Sequence, residues 1–137
     1  MNIGMGARRK TILLIDADPH ARATLRIALE GAGFSVGEAA NNHEGERTIL
    51  RVKPDAILAD LLAEPSANSP TISEWLRASG STTPCYIVSS AAEALMGSTG
   101  LHELGVTGVF LKPVDTALVI QTLRTQLGVA MEEPHHA

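Results

Sequence analysis

Five short apolar runs constrain this chain more than any other feature. They are Thr11–Ile15, Phe34–Glu38, Ala56–Ala59, Cys85–Val88 and Val109–Leu111, each too short for a helix. A run of four or five apolar residues without polar alternation fits a strand covered on both faces. Longer stretches with helical spacing separate the runs. Asp18 and Pro19 supply a cap and a first-turn proline; Ala21, Leu25, Ala28, Leu29 and Ala32 then share one face, with Gly31 and Gly33 marking the end. Asn41-Asn42 can cap a second helix that runs to Lys53 and stops at Pro54, with a thin apolar face made chiefly of Ile49, Leu50 and Val52. A third helix carries Ile72, Trp75 and Leu76 and ends at Gly80. A fourth is expected from Ala92 to Leu104, weakened by Gly97 and Gly100. Asp115 caps a last one bearing Val119, Ile120, Leu123 and Leu127. Strands alternating with helices in this way predict an α/β fold, a parallel five-stranded sheet with helices on both faces.

The pattern occupies residues 10–127; residues 1–9 and 128–137 lie outside it and are expected to be flexible tails. A chain of 137 residues suits one domain, and an apolar content of 45% provides a core without disulfides or a structural metal. The net charge of -4 argues against a basic nucleic-acid surface. Cys85 has no cysteine to pair with and lies in an apolar run, as expected of a small buried hydrophobe in a reducing compartment. Arg8-Arg9-Lys10 followed by Thr11–Ile15 mimics a secretion signal, but Asp16 cuts the apolar part short. No stretch approaches the ~20 apolar residues that span a bilayer. A soluble cytoplasmic protein with no membrane partner is expected.

In open parallel sheets the reactive groups gather at the carboxyl ends of the strands. The polar residues at those ends are Asp16, Asp60, Ser89 and Lys112. Two carboxylates can hold a hard cation such as Mg2+, and a carboxylate can attack a phosphoryl group to give an acyl phosphate. A lysine and a cation would spread the charge of the transferring group, and the Ser89 hydroxyl can bond one of its oxygens. Lys112, between an apolar strand and Pro113, has little structural reason to be there, and Asp60 caps no obvious helix. Asp18, by contrast, is read first as a helix cap, His20 as a solvated first-turn residue, Trp75 as core, and His135 and His136 as part of a tail.

Taken in order, Asp16 with Pro19, Pro54-Asp55-Ala56-Ile57-Leu58-Ala59-Asp60, Pro84-Cys85-Tyr86-Ile87-Val88-Ser89 and Gly108-Val109-Phe110-Leu111-Lys112-Pro113 resemble the receiver domain of two-component response regulators. The similarity covers Lys10 to Leu127. It implies a flavodoxin-like (βα)5 doubly wound sheet of order 2-1-3-4-5. It further implies that Asp60 is the phosphoacceptor, and that Asp16, Asp60 and the backbone carbonyl of Leu62 hold Mg2+. Ser89 replaces a more usual threonine, Lys112 pairs with the phosphoryl group, and the Lys112–Pro113 bond is cis. The implied partners are a sensor histidine kinase or phosphotransfer protein, a downstream protein, and a second copy of the chain. The implied chemistry is confined to self-phosphorylation and self-dephosphorylation. If the chain is complete, no DNA-binding or catalytic output region follows Leu127, and output by protein–protein contact is expected.

Three positions depart from the family pattern. Ala17 stands where a second acidic metal ligand is usual, so weak Mg2+ binding is expected. Val109 stands where a switch aromatic is usual, and Phe110 next to it should point to the other face of the sheet. The loop after Asp60 has its proline one place late, at Pro65, and lacks a glycine further on. Ala17 and Val109 leave room for a phosphorylation-independent pseudo-receiver. Asp16-Ala17-Asp18 also resembles the signature of haloacid-dehalogenase-like phosphatases, with Asp16 as nucleophile and Asp18 as general acid. The residue His20 and the lone Asp115 fit that signature poorly.

Overall fold

The apolar runs pair side by side in one parallel sheet. The computed structural model describes residues 9–60, 71–90 and 105–129. Its strands are β1 (Thr11–Ile15), β2 (Ser35–Ala39), β3 (Ala56–Asp60), β4 (Cys85–Ser89) and β5 (Gly108–Leu111), in the order β2-β1-β3-β4-β5. The helices among the described residues are α1 (Pro19–Gly31), α2 (Asn42–Val52), α3 (Ile72–Ala78) and α4 (Thr116–Leu127). This is the doubly wound arrangement and strand order expected from the sequence. Leu62, the loop at 63–70 with Pro65, the helix expected at 92–104, most of both tails, His135 and His136 lie outside the described residues.

Side chains alternate across the sheet with a period of two, so β1, β3 and β4 each feed two cores. Ile12, Leu14, Leu58, Tyr86, Val88 and Phe110 pack with Leu29 of α1 and with Val119 and Leu123 of α4. Leu13, Ile15, Ile57, Ala59 and Cys85 face the other way, onto Ile72 and Leu76 of α3, with Trp75 packed against them. Burial pushes the Cys85 thiol up to about 12, so it is an inert apolar group at neutral pH.

The caps form as the sequence predicts. Asp18 accepts from the N–H of His20, Asn41 from that of Glu44, and Asp115 from that of Leu118. Thr71 and Glu74 close a capping box on α3. Gly33, at φ 100, reverses the chain after α1 so that the Phe34 N–H bonds the Leu29 carbonyl. Phe34 therefore plugs the core beneath α1, and β2 begins one residue later than its apolar run suggests.

α2 differs from expectation in its packing. Leu50 is 69% exposed, whereas Gly45 and Thr48 are buried. A Cβ at Gly45 would lie 2.5 Å from Ile15 Cδ1. The helix thus approaches the sheet through small residues, which a search for large apolar side chains overlooks. Leu123→Ala should consequently cost about 2–5 kcal/mol in urea denaturation, as expected for a fully buried leucine. Leu50→Ala should stay within about 0.5 kcal/mol.

Candidate functional site

The sheet order reverses between β1 and β3, where the crossovers depart to opposite faces. Ile15 is in register with Ala59, which brings Asp16 and Asp60 together just past the buried ends of these strands. Asp60 is in register with Val88, and Ser89 with Leu111. The Lys112 N–H bonds the Ser89 carbonyl at 3.2 Å. Topology thus collects at one edge four residues that are distant in sequence.

Lys112 Nζ lies 3.0 Å from Asp60 Oδ2, with the Asp60 side chain only 10% exposed. The Lys112–Pro113 peptide is cis. Asp16 is less well compensated. Burial pushes its carboxyl above the usual carboxylate range; the N–H of Asp18, which bonds Asp16 Oδ1 at 2.8 Å, opposes the shift. Asp60 raises it further through its charge and a carboxyl–carboxyl hydrogen bond, while Lys112 lowers it. Ser89 is buried at the end of β4 and makes a polar interaction. A cleft of about 380 Å3 opens here, lined by Asp16, Asp60 and Lys112 together with the apolar Leu25 and Val114.

Other sequence readings fall out as follows. Asp18 caps α1 and faces the cleft only as that helix begins. His20 is exposed at the first turn of α1, and Trp75 is partly buried against the core. Val109 is half-buried, whereas Phe110 faces the α1–α4 core and stacks on Tyr86 with ring centroids 5.2 Å apart. Phe110 thus belongs to the packing and does not take the place of an aromatic at position 109. The backbone carbonyl of Leu62 lies outside the described residues.

Two residues at the site escaped the sequence reading. Arg22 of α1 lines the cleft, donates through Nη1 to the Asp16 carbonyl and pairs through Nε with Glu38 of β2 at 2.9 Å. Arg22 lies one helical turn beyond the cap Asp18, a spacing that returns it to the same end of the helix. Glu38 gave no signal, because only the parallel pairing of β2 with β1 brings it near.

The fold and site define a class: a doubly wound α/β module with an acidic, lysine-bearing cluster at its topological switch. The family model for the response regulator receiver domain matches residues 12–124, and the chain belongs to that family. It is similar to the DNA-binding response regulator MtrA of Mycolicibacterium smegmatis, at 27% identity over 130 residues, 95% of this chain and 56% of that protein. It is also similar to the phosphate regulon transcriptional regulatory protein PhoB of Pseudomonas aeruginosa, at 28% over 120 residues, 86% of this chain and 52% of that one. The chain thus spans about half the length of these relatives. The signal receiver domain of an HD domain-containing protein from Pseudomonas fluorescens shares the fold, with a TM-score of 0.77, 17% identity and 93% of each chain covered. Receiver domains are in general non-enzymatic signalling modules of two-component systems; they bind Mg2+ at the phosphorylation site and interact with histidine kinases or phosphotransfer proteins. Among the described residues no helix is long and apolar enough to cross a membrane.

A carboxyl with a raised folded-state pKa holds its proton more tightly folded than unfolded. It favours the fold at acid pH and works against it as pH rises above the ordinary value of 3.8. Asp16→Asn keeps an acceptor for the Asp18 N–H and removes the charge. Without divalent cations, thermal melts should show a higher Tm for Asp16→Asn at pH 7, with the gain shrinking as pH falls towards 3.8.

Proposed function

We propose that this receiver takes a phosphoryl group on Asp60 and signals by protein–protein contact, within a unit of residues 10–127. The observation that carries this reading is the Lys112–Asp60 pair, 3.0 Å apart, with Asp60 nearly buried beside Asp16. Asp60, not Asp16, is in contact with the ammonium group, so Lys112 stands where charge develops during transfer. One Asp60 oxygen attacks phosphorus, the bond from phosphorus to the donor's leaving atom breaks, and the donor leaves with the bonding electrons. Lys112 stays against the phosphorylated end of the side chain, and the Ser89 hydroxyl bonds a phosphoryl oxygen. Hydrolysis returns the free carboxylate, which confines the chemistry to self-phosphorylation and self-dephosphorylation. The donor is a sensor histidine kinase or phosphotransfer protein, and a downstream protein or second copy receives the signal.

Mg2+ fits the donor set. Two adjacent carboxylates share a hydrogen bond and a single nearby ammonium, leaving negative charge that a hard cation with oxygen preference relieves. Asp16 and Asp60 would hold it, with the Leu62 carbonyl as the third ligand implied by family resemblance. When bound, the ion supplies charge neutralisation. No cluster of three or more His, Cys, Asp or Glu ligands occurs among the described residues, and Ala17 adds none. The ion would therefore keep more of its water and bind weakly.

Intact-mass spectrometry after incubation with acetyl phosphate over a Mg2+ series tests the reading. Wild type should gain one phosphoryl group and Asp60→Asn none. Ala17→Asp should reach half-maximal labelling at several-fold lower Mg2+. No adduct at any Mg2+ concentration would mean an interaction module that phosphorylation does not drive. An adduct that survives Asp60→Asn but is lost in Asp16→Asn would make Asp16 the nucleophile, as in the phosphatase reading.

A further inference from the structure

We infer that Arg22 is a positioning residue for the phosphoacceptor site, acting through the backbone of Asp16, and that Glu38 aims it. The inference rests on the reading of Asp16 and Asp60 given above. Asp16 is the first residue past β1, where regular strand pairing ceases to hold the chain. Its peptide is nevertheless held on both sides. Its N–H bonds the Ala39 carbonyl at 3.0 Å, and its carbonyl accepts from Arg22 Nη1. Its carboxylate accepts from the Asp18 N–H. Of the two groups that hold the Asp16 peptide, Arg22 is the side chain, and it reaches across from α1.

Its aim is set from the opposite side. Glu38 Oε1 takes Arg22 Nε at 2.9 Å, and Glu38 Oε2 takes Arg26 Nε at 3.0 Å. Arg26 also meets Glu30 at 3.1 Å, so the four side chains form one chain of alternating charge along α1 and the end of β2. Isolated surface pairs contribute little to stability. This network is different in where it ends: the Arg22 side chain is 19% exposed and terminates on the peptide that carries Asp16. The planar guanidinium serves two separated acceptors from two different nitrogens in fixed directions, whereas an ammonium group carries all its donors on one rotatable atom.

Ala17 gives the contact its importance. With no second acid at the turn, a cation has less to grip and less with which to draw the loop into place. The position of Asp16 must then be preset by the protein. Residues that orient a ligand from outside the coordination sphere commonly matter about tenfold or more for metal affinity.

The test compares wild type, Arg22→Ala, Arg22→Lys, Glu38→Gln and the Arg22→Ala/Glu38→Gln double variant. Mg2+ affinity is read from the NMR shifts of the Asp16 and Asp60 amides, and labelling by acetyl phosphate and Tm are measured alongside. Arg22→Ala and Arg22→Lys should both weaken Mg2+ binding about tenfold. Glu38→Gln should lose a smaller factor, and the double variant should be no worse than Arg22→Ala, because the two side chains act as one device. A wild-type-like Arg22→Lys would show that charge alone matters and overturn the inference. So would additive losses in the double variant, or a lowered Tm with Mg2+ affinity intact. If wild type binds Mg2+ but takes no phosphoryl group, the phosphoacceptor reading fails, while the Mg2+ titrations still judge Arg22 on their own.

Discussion

Burial of β1 and β3 on both faces is the constraint from which the rest of the structure follows. Their side chains serve two cores at once, so no charge can sit within the buried stretches Ile12–Ile15 and Ala56–Ala59. The first positions able to carry charge are those where the strands run out, Asp16 and Asp60. Parallel pairing puts both at the same edge, and the reversal of strand order between β1 and β3 opens a cleft there. The opposite edge shows the same logic used structurally: Asp55, at the start of β3, accepts the Thr11 N–H at 2.8 Å and ties the two strands at their beginnings.

Within the site the two acids have different environments. Asp60 faces Lys112 across 3.0 Å. Asp16 loses hydration and sits against a second carboxyl, which the Asp18 N–H and the charge of Lys112 offset only in part. The pair is unequal: Lys112 stands against Asp60, while Asp16 is a carboxyl whose ionisation a cation would favour. Ala17 keeps the cluster at two acids, and the Arg22–Glu38 network holds the backbone on which one of them stands.

The elements whose origin is local were legible from the residues. Asp18, Asn41 and Asp115 cap the helices they precede, and the apolar runs became the strands. The convergence of Asp16, Asp60, Ser89 and Lys112 was legible too, because a parallel sheet places all strand ends of one kind together. Features that depend on close approach between elements were not. Leu50 looked like core because it is large and apolar, yet α2 lies on the sheet through Gly45. Phe34 was counted in a strand although the turn at Gly33 directs it under α1. Arg22 and Glu38 are sixteen residues apart and carry no motif; only the pairing of β2 beside β1 makes them neighbours.

The central claim is that the Asp60 carboxylate itself carries the phosphoryl group, and chemical trapping tests it most directly. Borohydride reduces an acyl phosphate on aspartate to homoserine, so peptide mass mapping after phosphorylation and reduction identifies the residue. The account predicts homoserine at position 60 and nowhere else, dependent on Mg2+. Homoserine at position 16, or unreduced Asp60 in protein shown to be phosphorylated, would contradict it.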